Sequence, residues 1–358
     1  MSATMKAMVL TGHGGLDKYV WHEDWPKPVP GPMEALIRVG ACGLNNTDVN
    51  TRTGWYSKAV SEATTGGAYA TVAEDDPTWG GAPITFPRIQ GADAVGKVVA
   101  VGAGADPGLI GKRVMTNGWL RDWSDPENMD KAGYFGSEID GGFAEFTKTD
   151  VRNLAVVKSD LSDAELATFS CSYSTAEGML SRANVTAADT VLIPGASGGV
   201  GGALVQLARL RGARVIAMAS EAKHGDVARL GPDRILPRAP ENLRKALNGD
   251  KVTVVADIVG GPYWPNLINI LERGGRYTCS GAIAGPMVTL DLRTFYLRDL
   301  TFTGSTIIPV KVFDDLVGYI ERGEIKPVLA ATYPLRDLRE AQAAFIEKRH
   351  VGNIVVVP

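Results

Sequence analysis

Val191-Leu192-Ile193-Pro194-Gly195-Ala196-Ser197-Gly198-Gly199-Val200-Gly201 decides the fold, because an apolar run passes through a glycine-rich turn straight into a helical pattern. The apolar run reads as a buried strand. Beyond the turn, Val200, Ala203, Leu204, Leu207 and Ala208 fall on one face at helical spacing, as a helix packed on a sheet requires. Gly198 lets the backbone approach a pyrophosphate and Gly201 permits close contact between helix and sheet. The unpaired amides at a helix start favour an anion. A purely structural turn is the competing reading, but a strand on one side and an amphipathic helix on the other point to a dinucleotide held by Ala196, Ser197, Gly198, Gly199, Val200 and Gly201.

Working outward, apolar runs recur at Thr190-Pro194, Arg214-Ala219, Arg234-Leu236, Val252-Ile258, Arg276-Ser280 and Leu300-Thr303. Helical patterns at Gly199-Arg211, Lys223-Leu230, Glu241-Leu247 and Tyr263-Glu272 separate most of them, and Asp163-Arg182 is helical in composition. This alternation predicts an α/β fold with a doubly wound parallel sheet of about six strands. The earlier part differs. Short β-runs at Ala35-Val39, Val95-Val101, Lys112-Met115, Phe143-Thr147 and Leu154-Val157, set among glycine and proline, predict a strand-rich domain. Between Tyr56 and Phe86 the sequence lacks period and reads as a long insertion, with Trp55, Tyr56, Tyr69 and Trp79 in or beside it. Two more helices, Val312-Glu321 and Leu338-Lys348, precede a terminal β-run, Ile354-Val357, and the pattern does not say which domain they join.

A length of 358 residues allows two cores, since single cores stop growing near ~250-300 residues. A formal charge of -3, from 37 basic and 40 acidic residues with no basic run, gives no footprint for nucleic acid or an anionic membrane. No stretch has the ~18 apolar residues of a spanning helix, and the first residues lead into strand-like Met5-Leu10 without a signal-peptide core, so a cytoplasmic location is expected. Cys42, Cys171 and Cys279 are odd in number and far apart, which fits neither a disulfide framework nor a structural zinc cluster.

The second strand of the sheet bears on the cofactor. NAD enzymes place Asp or Glu at its end to hold the ribose hydroxyls, whereas here it closes with Met218-Ala219-Ser220. Ser220 can donate to a 2′-phosphate and Lys223 can offset its charge, so NADPH is favoured. Glu221, one residue later, leaves NADH open, and Lys223 also reads as a solvated helix residue.

Further segments carry a resemblance: Gly31-Pro32-Met33-Glu34-Ala35, Ala41-Cys42-Gly43-Leu44-Asn45, and Pro87-Arg88-Ile89-Gln90-Gly91-Ala92-Asp93 followed by Val95-Gly96. Asp140-Gly141-Gly142-Phe143-Ala144-Glu145 and Gly352-Asn353-Ile354-Val355 complete the set. With the glycine turn, they resemble the medium-chain dehydrogenase/reductase superfamily, and its zinc-independent quinone oxidoreductase-like branch in particular, over nearly the whole chain. The resemblance implies a GroES-like catalytic domain of residues 1-158 and 309-358 around a Rossmann dinucleotide-binding domain of residues 159-308. The zinc alcohol dehydrogenases of the superfamily hold a catalytic metal through Cys, His and Cys. The matching positions here are Asn45, Ala92 and Cys171, which retain one ligand where a catalytic zinc needs about three. Asp93, adjacent to the lost ligand at Ala92, is a weaker candidate to bind metal together with Cys171, and Cys171 reads as a buried apolar residue.

Without a Lewis acid, hydrogen-bond donors must stabilise a developing oxyanion, which favours acceptors that delocalise charge. The expected activity is therefore NADPH-dependent reduction of small quinones or α,β-unsaturated carbonyls by hydride transfer, with no zinc. Metal-free carbonyl/alcohol interconversion, on aldehydes for example, and a non-catalytic NADPH-binding protein are the alternatives. The resemblance offers Asn45 and Tyr56 as the donors; equally, Asn45 reads as a helix cap and Tyr56 as a core aromatic. Asp48 reads as a cap for the same helix. Thr175 resembles a position near the nicotinamide or its phosphates, Gly281, Gly304 and Ser305 resemble backbone contacts along the cofactor, and Gly352 and Asn353 resemble a phosphate contact from the closing strand. The superfamily commonly pairs subunits through sheet edges, and Leu300-Ile308 is apolar enough for such an edge, so a homodimer is expected.

Overall fold

The computed structural model describes residues 3–65, 67, 69 and 83–358. Much of the insertion 57-85, including Trp79, therefore lies outside the described residues.

β1 (Thr4–Leu10) and β2 (Tyr19–Pro26) form an antiparallel pair. β3 (Glu34–Gly43) leads into α1 (Asn46–Thr53), followed by β4 (Asp93–Val101) and β5 (Arg113–Thr116). The short strands β6 (Trp119–Leu120) and β7 (Gly133–Tyr134) pair with each other, and β8 (Phe146–Asp150) and β9 (Leu154–Val156) follow. Next come α2 (Asp163–Leu166) and α3 (Ser170–Arg182). The alternating region runs β10 (Thr190–Ile193), α4 (Gly199–Leu210), β11 (Arg214–Ala219), α5 (His224–Ala228), β12 (Arg234–Pro237), α6 (Leu243–Leu247) and β13 (Val252–Asp257). It continues through α7 (Trp264–Asn269), β14 (Leu271–Cys279), α8 (Leu292–Tyr296) and β15 (Thr301–Gly304). α9 (Val310–Glu321), β16 (Leu329–Pro334), α10 (Leu338–Glu347) and β17 (Asn353–Val357) close the described chain.

The alternating region forms the expected doubly wound sheet, six parallel strands in the order β12-β11-β10-β13-β14-β15. Val191, Leu192 and Ile193 of its first strand are fully buried, because helices cover both faces of a parallel sheet and every side chain must be apolar. Each such burial contributes about 1.5–3 kcal/mol. The chain order reverses between β11 and β13, on either side of β10. The carboxyl ends of β10 and β13 therefore border the crevice where open α/β sheets receive ligands.

A second sheet of seven strands carries β3, β4, β5, β8, β9, β16 and β17. β17 pairs antiparallel with β3, so the terminal β-run returns to the strand-rich part of the chain. α9 turns Val312, Phe313, Leu316, Val317 and Ile320 into the core that also holds Val191 and Ile193. The two sheets share that core: it runs from Ala92, Val95 and Tyr134 through Phe169 and Tyr173 of α3 into the parallel sheet.

Two sequence expectations shift. The helical stretch 163–182 is broken at Ala167–Phe169. A capping box between Ser162 and Glu165 starts α2, and α3 starts separately where the Cys171 N–H donates to Asp93 Oδ1 at 2.8 Å. The pattern Tyr263-Glu272 ends as a helix at Asn269, because Leu271 already pairs with Val252 of β13.

Candidate active site

Gly195 takes φ +67° to turn the chain out of β10, and Gly198, in extended conformation, caps α4. A β-carbon on Gly201 would overlap the Gly195 carbonyl oxygen, so only glycine lets α4 approach the strand this closely. Gly198 has nothing nearer than 3.6 Å to where its β-carbon would stand, which leaves the backbone open to a ligand. Gly199 is crowded instead by the side chains of Asn353 and Ser172, so the turn, α3 and the closing strand meet there. Gly352 donates its N–H to Ser197 O at 3.0 Å, and Ser172 Oγ donates to Asn353 Oδ1 at 3.0 Å. Asn353 Nδ2 is buried with no hydrogen-bond partner among the described residues. An orphaned donor beside the exposed amides of a helix start fits an anionic diphosphate.

The other proposed cofactor contacts lie along the same edge of the sheet. Ser220 follows the last residue of β11, and Lys223 Nζ, three residues on, donates to the backbone carbonyl oxygens of Lys348 and, at 2.8 Å, His350. Gly281 follows β14, Gly304 ends β15 with open space around it, and Ser305 N–H donates to Cys279 O at 2.9 Å. The described part of the insertion reaches this edge too, since Thr64 N–H donates to Ile283 O at 3.0 Å.

Asn45 and Tyr56 flank α1. The Asn45 backbone N–H donates to Asp48 Oδ2 at 2.7 Å, so the capping reading is realised, with Asp48 as the acceptor. The Asn45 side chain is committed elsewhere: its Nδ2 donates to Asp93 Oδ2 at 2.9 Å. Tyr56 is only half-buried, and Thr47 and Asn50 hydrogen-bond to its hydroxyl, whose pKa crowding by protein raises well above the usual phenol range. Cys171 is likewise half-buried rather than sealed in the core. Its sulfur accepts hydrogen bonds from Tyr134 and Thr175, and burial pushes its pKa far up. Burial also raises both carboxyls, Asp48 and Asp93, from 3.8 to about 7 each, against the pull of the N–H groups they accept.

Asn45, Tyr56, Cys171 and Thr175 are thus joined in one polar cluster, and the turn residues with Gly352 and Asn353 in another. Asp93 and Tyr134 belong to the first cluster although sequence reasoning gave neither this role. Asp93 drew notice only as a possible metal ligand next to Ala92, and its partners stand 48 and 78 residues away. Tyr134 sits on a two-residue strand with no period to betray it.

The donor set does not fit a catalytic zinc. Ala92 offers a methyl group and Asn45 a carboxamide whose Nδ2 donates to Asp93, which leaves Asp93 and Cys171 as two candidate ligands where a catalytic zinc needs about three. Among the described residues no group of three or more His, Cys, Asp or Glu could hold a metal ion, and no helix is long and apolar enough to cross a membrane.

Family models match in two places: the alcohol dehydrogenase GroES-like domain over residues 31–159, and a model described as zinc-binding dehydrogenase over residues 199–322. A solved structure from Sinorhizobium meliloti 1021, assigned as an alcohol dehydrogenase, is 44% identical with a TM-score of 0.90, covering 100% of this chain and 98% of its own. The acryloyl-coenzyme A reductase of Metallosphaera sedula is 26% identical over 98% of this chain and 99% of its own length. The chloroplastic NADPH-dependent alkenal/one oxidoreductase of Arabidopsis thaliana is 27% identical over 99% of this chain and 80% of its own. With the parallel sheet, its glycine turn and the GroES-like strands, these matches make the chain a member of the medium-chain dehydrogenase/reductase superfamily, an NAD(P)H-dependent oxidoreductase.

Proposed function

We propose that the protein reduces the conjugated double bond of a small α,β-unsaturated carbonyl compound, or a quinone, with NADPH and without a metal ion. The observation that carries this reading is the Asn45–Asp93–Cys171 arrangement. At the positions matching the metal ligands of zinc relatives stand Asn45, whose carboxamide donates to Asp93, and Ala92, which cannot bind metal, with Cys171 the one ligand retained. The nicotinamide, when bound, supplies the hydride. Asn45 Nδ2, anchored through one hydrogen to Asp93, has a second to give to the substrate oxygen. The Tyr56 hydroxyl, polarised by Thr47 and Asn50, is the other donor. Such donors lower the barrier as negative charge builds on that oxygen, and conjugation spreads the charge further. Two relatives bear names that describe reduction of conjugated compounds, acryloyl-coenzyme A and alkenals or alkenones.

NADPH is preferred in this reading because the second strand ends in Ala219 and Ser220 with Lys223 close behind. In this reading Thr175 lies near the nicotinamide or its phosphates, Gly281, Gly304 and Ser305 offer backbone contacts along the cofactor, and Gly352 and Asn353 meet its phosphate end. The same proposal divides the chain into 1–158 with 309–358 and 159–308, and places the protein in the cytoplasm. It also pairs two copies along β15, whose neighbourhood exposes Met287, Leu292, Tyr296 and Leu297. A monomer mass by light scattering at micromolar concentration would remove the pairing.

Stopped-flow oxidation of NADPH and NADH against enones, quinones and aldehydes, with metal content measured on the same sample, tests the whole reading. Saturated ketone from an enone, faster with NADPH and in metal-free protein, is expected. Allylic alcohol as the product, or activity that tracks bound zinc, overturns it.

A further inference from the structure

The described part of the insertion, with the two residues before it, forms an arch from α1 to the parallel sheet. Gly54, at φ +77°, ends α1, and Trp55 follows with its N–H donated to Asn50 O at 2.9 Å. The Trp55 indole stands edge-on to the Tyr56 ring, 5.7 Å between centroids. Its Nε1 donates to Glu62 O at 2.9 Å, so the start of the arch is tied to its middle. At the far end the Thr64 N–H donates to Ile283 O at 3.0 Å. The Ser61 carbonyl oxygen and the Ala63 nitrogen lie 3.8 and 4.0 Å from where a β-carbon on Gly285 would stand, so the arch rests on that glycine.

Ile283 and Gly285 belong to the loop that follows β14, and this loop is fastened to the end of β13. Ala284 N–H donates to Val259 O at 2.8 Å, and Gly261 N–H donates to Gly285 O at 3.1 Å. Thr64 is therefore placed beyond the carboxyl ends of two neighbouring parallel strands, at the edge where open α/β sheets receive ligands. Its Oγ1 is buried and has no hydrogen-bond partner among the described residues. The hydroxyl stands one rotatable bond from the Cα of a residue whose own N–H is held by Ile283, so it cannot lie far from that edge. A hydroxyl can donate one hydrogen bond and accept others, and burying it unpaired lowers stability unless a further group pairs with it. Valine has the same shape and would avoid that loss.

We propose that Thr64 is a further ligand-binding residue of the active site, contributed by the insertion, its hydroxyl donating to a carbonyl oxygen held at the crevice edge. The inference rests on the reading above, in which a nicotinamide meets a carbonyl acceptor there. Two groups have the required chemistry, the carboxamide of the nicotinamide and the carbonyl of the acceptor, since each presents an oxygen lone pair to a neutral donor. The arch fixes the donor before either arrives, because the Thr64 backbone is tied to Ile283 and the Trp55 indole to Glu62. The competing account is a buried water that satisfies the hydroxyl, in which case Thr64 has no part in binding.

The test compares the full-length protein with Thr64→Val, which keeps the shape and the backbone N–H but removes the hydroxyl, and with Thr64→Ser, which keeps the hydroxyl. Steady-state kinetics with the fastest acceptor among enones, quinones and aldehydes gives kcat and KM. Calorimetric titration gives Kd for the tighter of NADPH and NADH and for the matching ADP-ribose, which lacks the nicotinamide. A loss of about five- to tenfold, the usual range for one neutral hydrogen bond, is expected in Thr64→Val and restored in Thr64→Ser. Loss in Kd for the dinucleotide but not for the ADP-ribose assigns the hydroxyl to the carboxamide. Loss in KM alone assigns it to the acceptor. Without ligand, Thr64→Val should melt at or above the wild-type temperature, since a buried unpaired hydroxyl has gone. Unchanged Kd and KM, or a loss shared equally by the ADP-ribose, overturns the proposal. A clear fall in the ligand-free melting temperature of Thr64→Val also overturns it, because the hydroxyl would then be bonded within the protein. Wild-type protein that binds neither dinucleotide overturns the functional reading and takes the proposal with it, whereas an active protein indifferent to Thr64→Val overturns the proposal alone.

Discussion

Replacing Asn45 with alanine separates the two jobs this residue holds. Its backbone N–H, which donates to Asp48 Oδ2 at 2.7 Å, survives the change, so α1 keeps its start. What disappears is the carboxamide, and with it the 2.9 Å hydrogen bond to Asp93 Oδ2 and the donor proposed for the substrate oxygen. Losing one well-placed oxyanion donor costs about 2.7–4 kcal/mol in the transition state, or ~10²–10³ in kcat. Tyr56 remains as a second donor, so the expected loss is about a hundredfold, toward the lower end of that range. Asp93 is left with a buried oxygen that lacks its partner, which costs about 1–3 kcal/mol of stability. Asn45 is no part of the glycine turn, so the Kd for NADPH stays within about twofold of wild type. The assay is single-turnover oxidation of NADPH by an enone under saturating conditions, with urea unfolding of the same samples. A folded Asn45→Ala protein whose kcat lies within about threefold of wild type would refute the donor role.

Tyr56→Phe removes a hydroxyl that Thr47 and Asn50 support; kcat falls about ten- to a hundredfold with NADPH affinity unchanged, read by the same single-turnover experiment. Gly201→Val drives a side chain into the Gly195 carbonyl and Ala196 Cα, so fluorescence titration should find NADPH binding lost. Asp48 is raised from 3.8 to about 7, mainly by burial, so between those values the folded state holds more protons than the unfolded state. Wild-type stability therefore falls as pH rises from about 4 to about 7, by at most about 4 kcal/mol from this group. Urea unfolding at pH 5 and pH 8 should show a smaller fall in Asp48→Asn, and equal falls in both proteins would exclude the burial argument.

The parallel sheet was legible because local and global demands agree there. Val191 to Ile193 must be apolar on both faces, the glycines must be small, and Ala203, Leu204, Leu207 and Ala208 must share a face; each requirement writes itself into neighbouring residues. The break between α2 and α3 was not legible, because the Cys171 amide finds its acceptor on Asp93, in a strand of the other sheet. β14 was read too short at its start for a similar reason: Leu271 pairs across to Val252, after which the register shifts at Val254. The site shows the same division. Asn45 and Tyr56 drew notice through family resemblance, and their local alternatives, cap and aromatic, were equally compatible with the sequence. No period or motif marks Tyr134, whose partner Cys171 stands far off in the chain.

Asp93 shows why the loss of metal ligands need not leave a gap. One carboxylate oxygen accepts from the Asn45 carboxamide and the other from the Cys171 amide at the start of α3. A donor on the catalytic side and the helix that carries Thr175 are therefore tied to the same two atoms. A metal at this place would hold its ligands through charge. The clamp holds its partners through directed N–H groups, which satisfy a buried carboxylate whose pKa burial still raises to about 7. Asn45 turns a donor rather than a lone pair toward Asp93, and Ala92 has none to offer, so of the three matching positions only Cys171 retains a side chain that binds zinc. In the proposed reading the bond that orients the Asn45 carboxamide toward a substrate oxygen also occupies the place of a lost ligand, so catalysis by fixed donors and independence of zinc would share one structural cause.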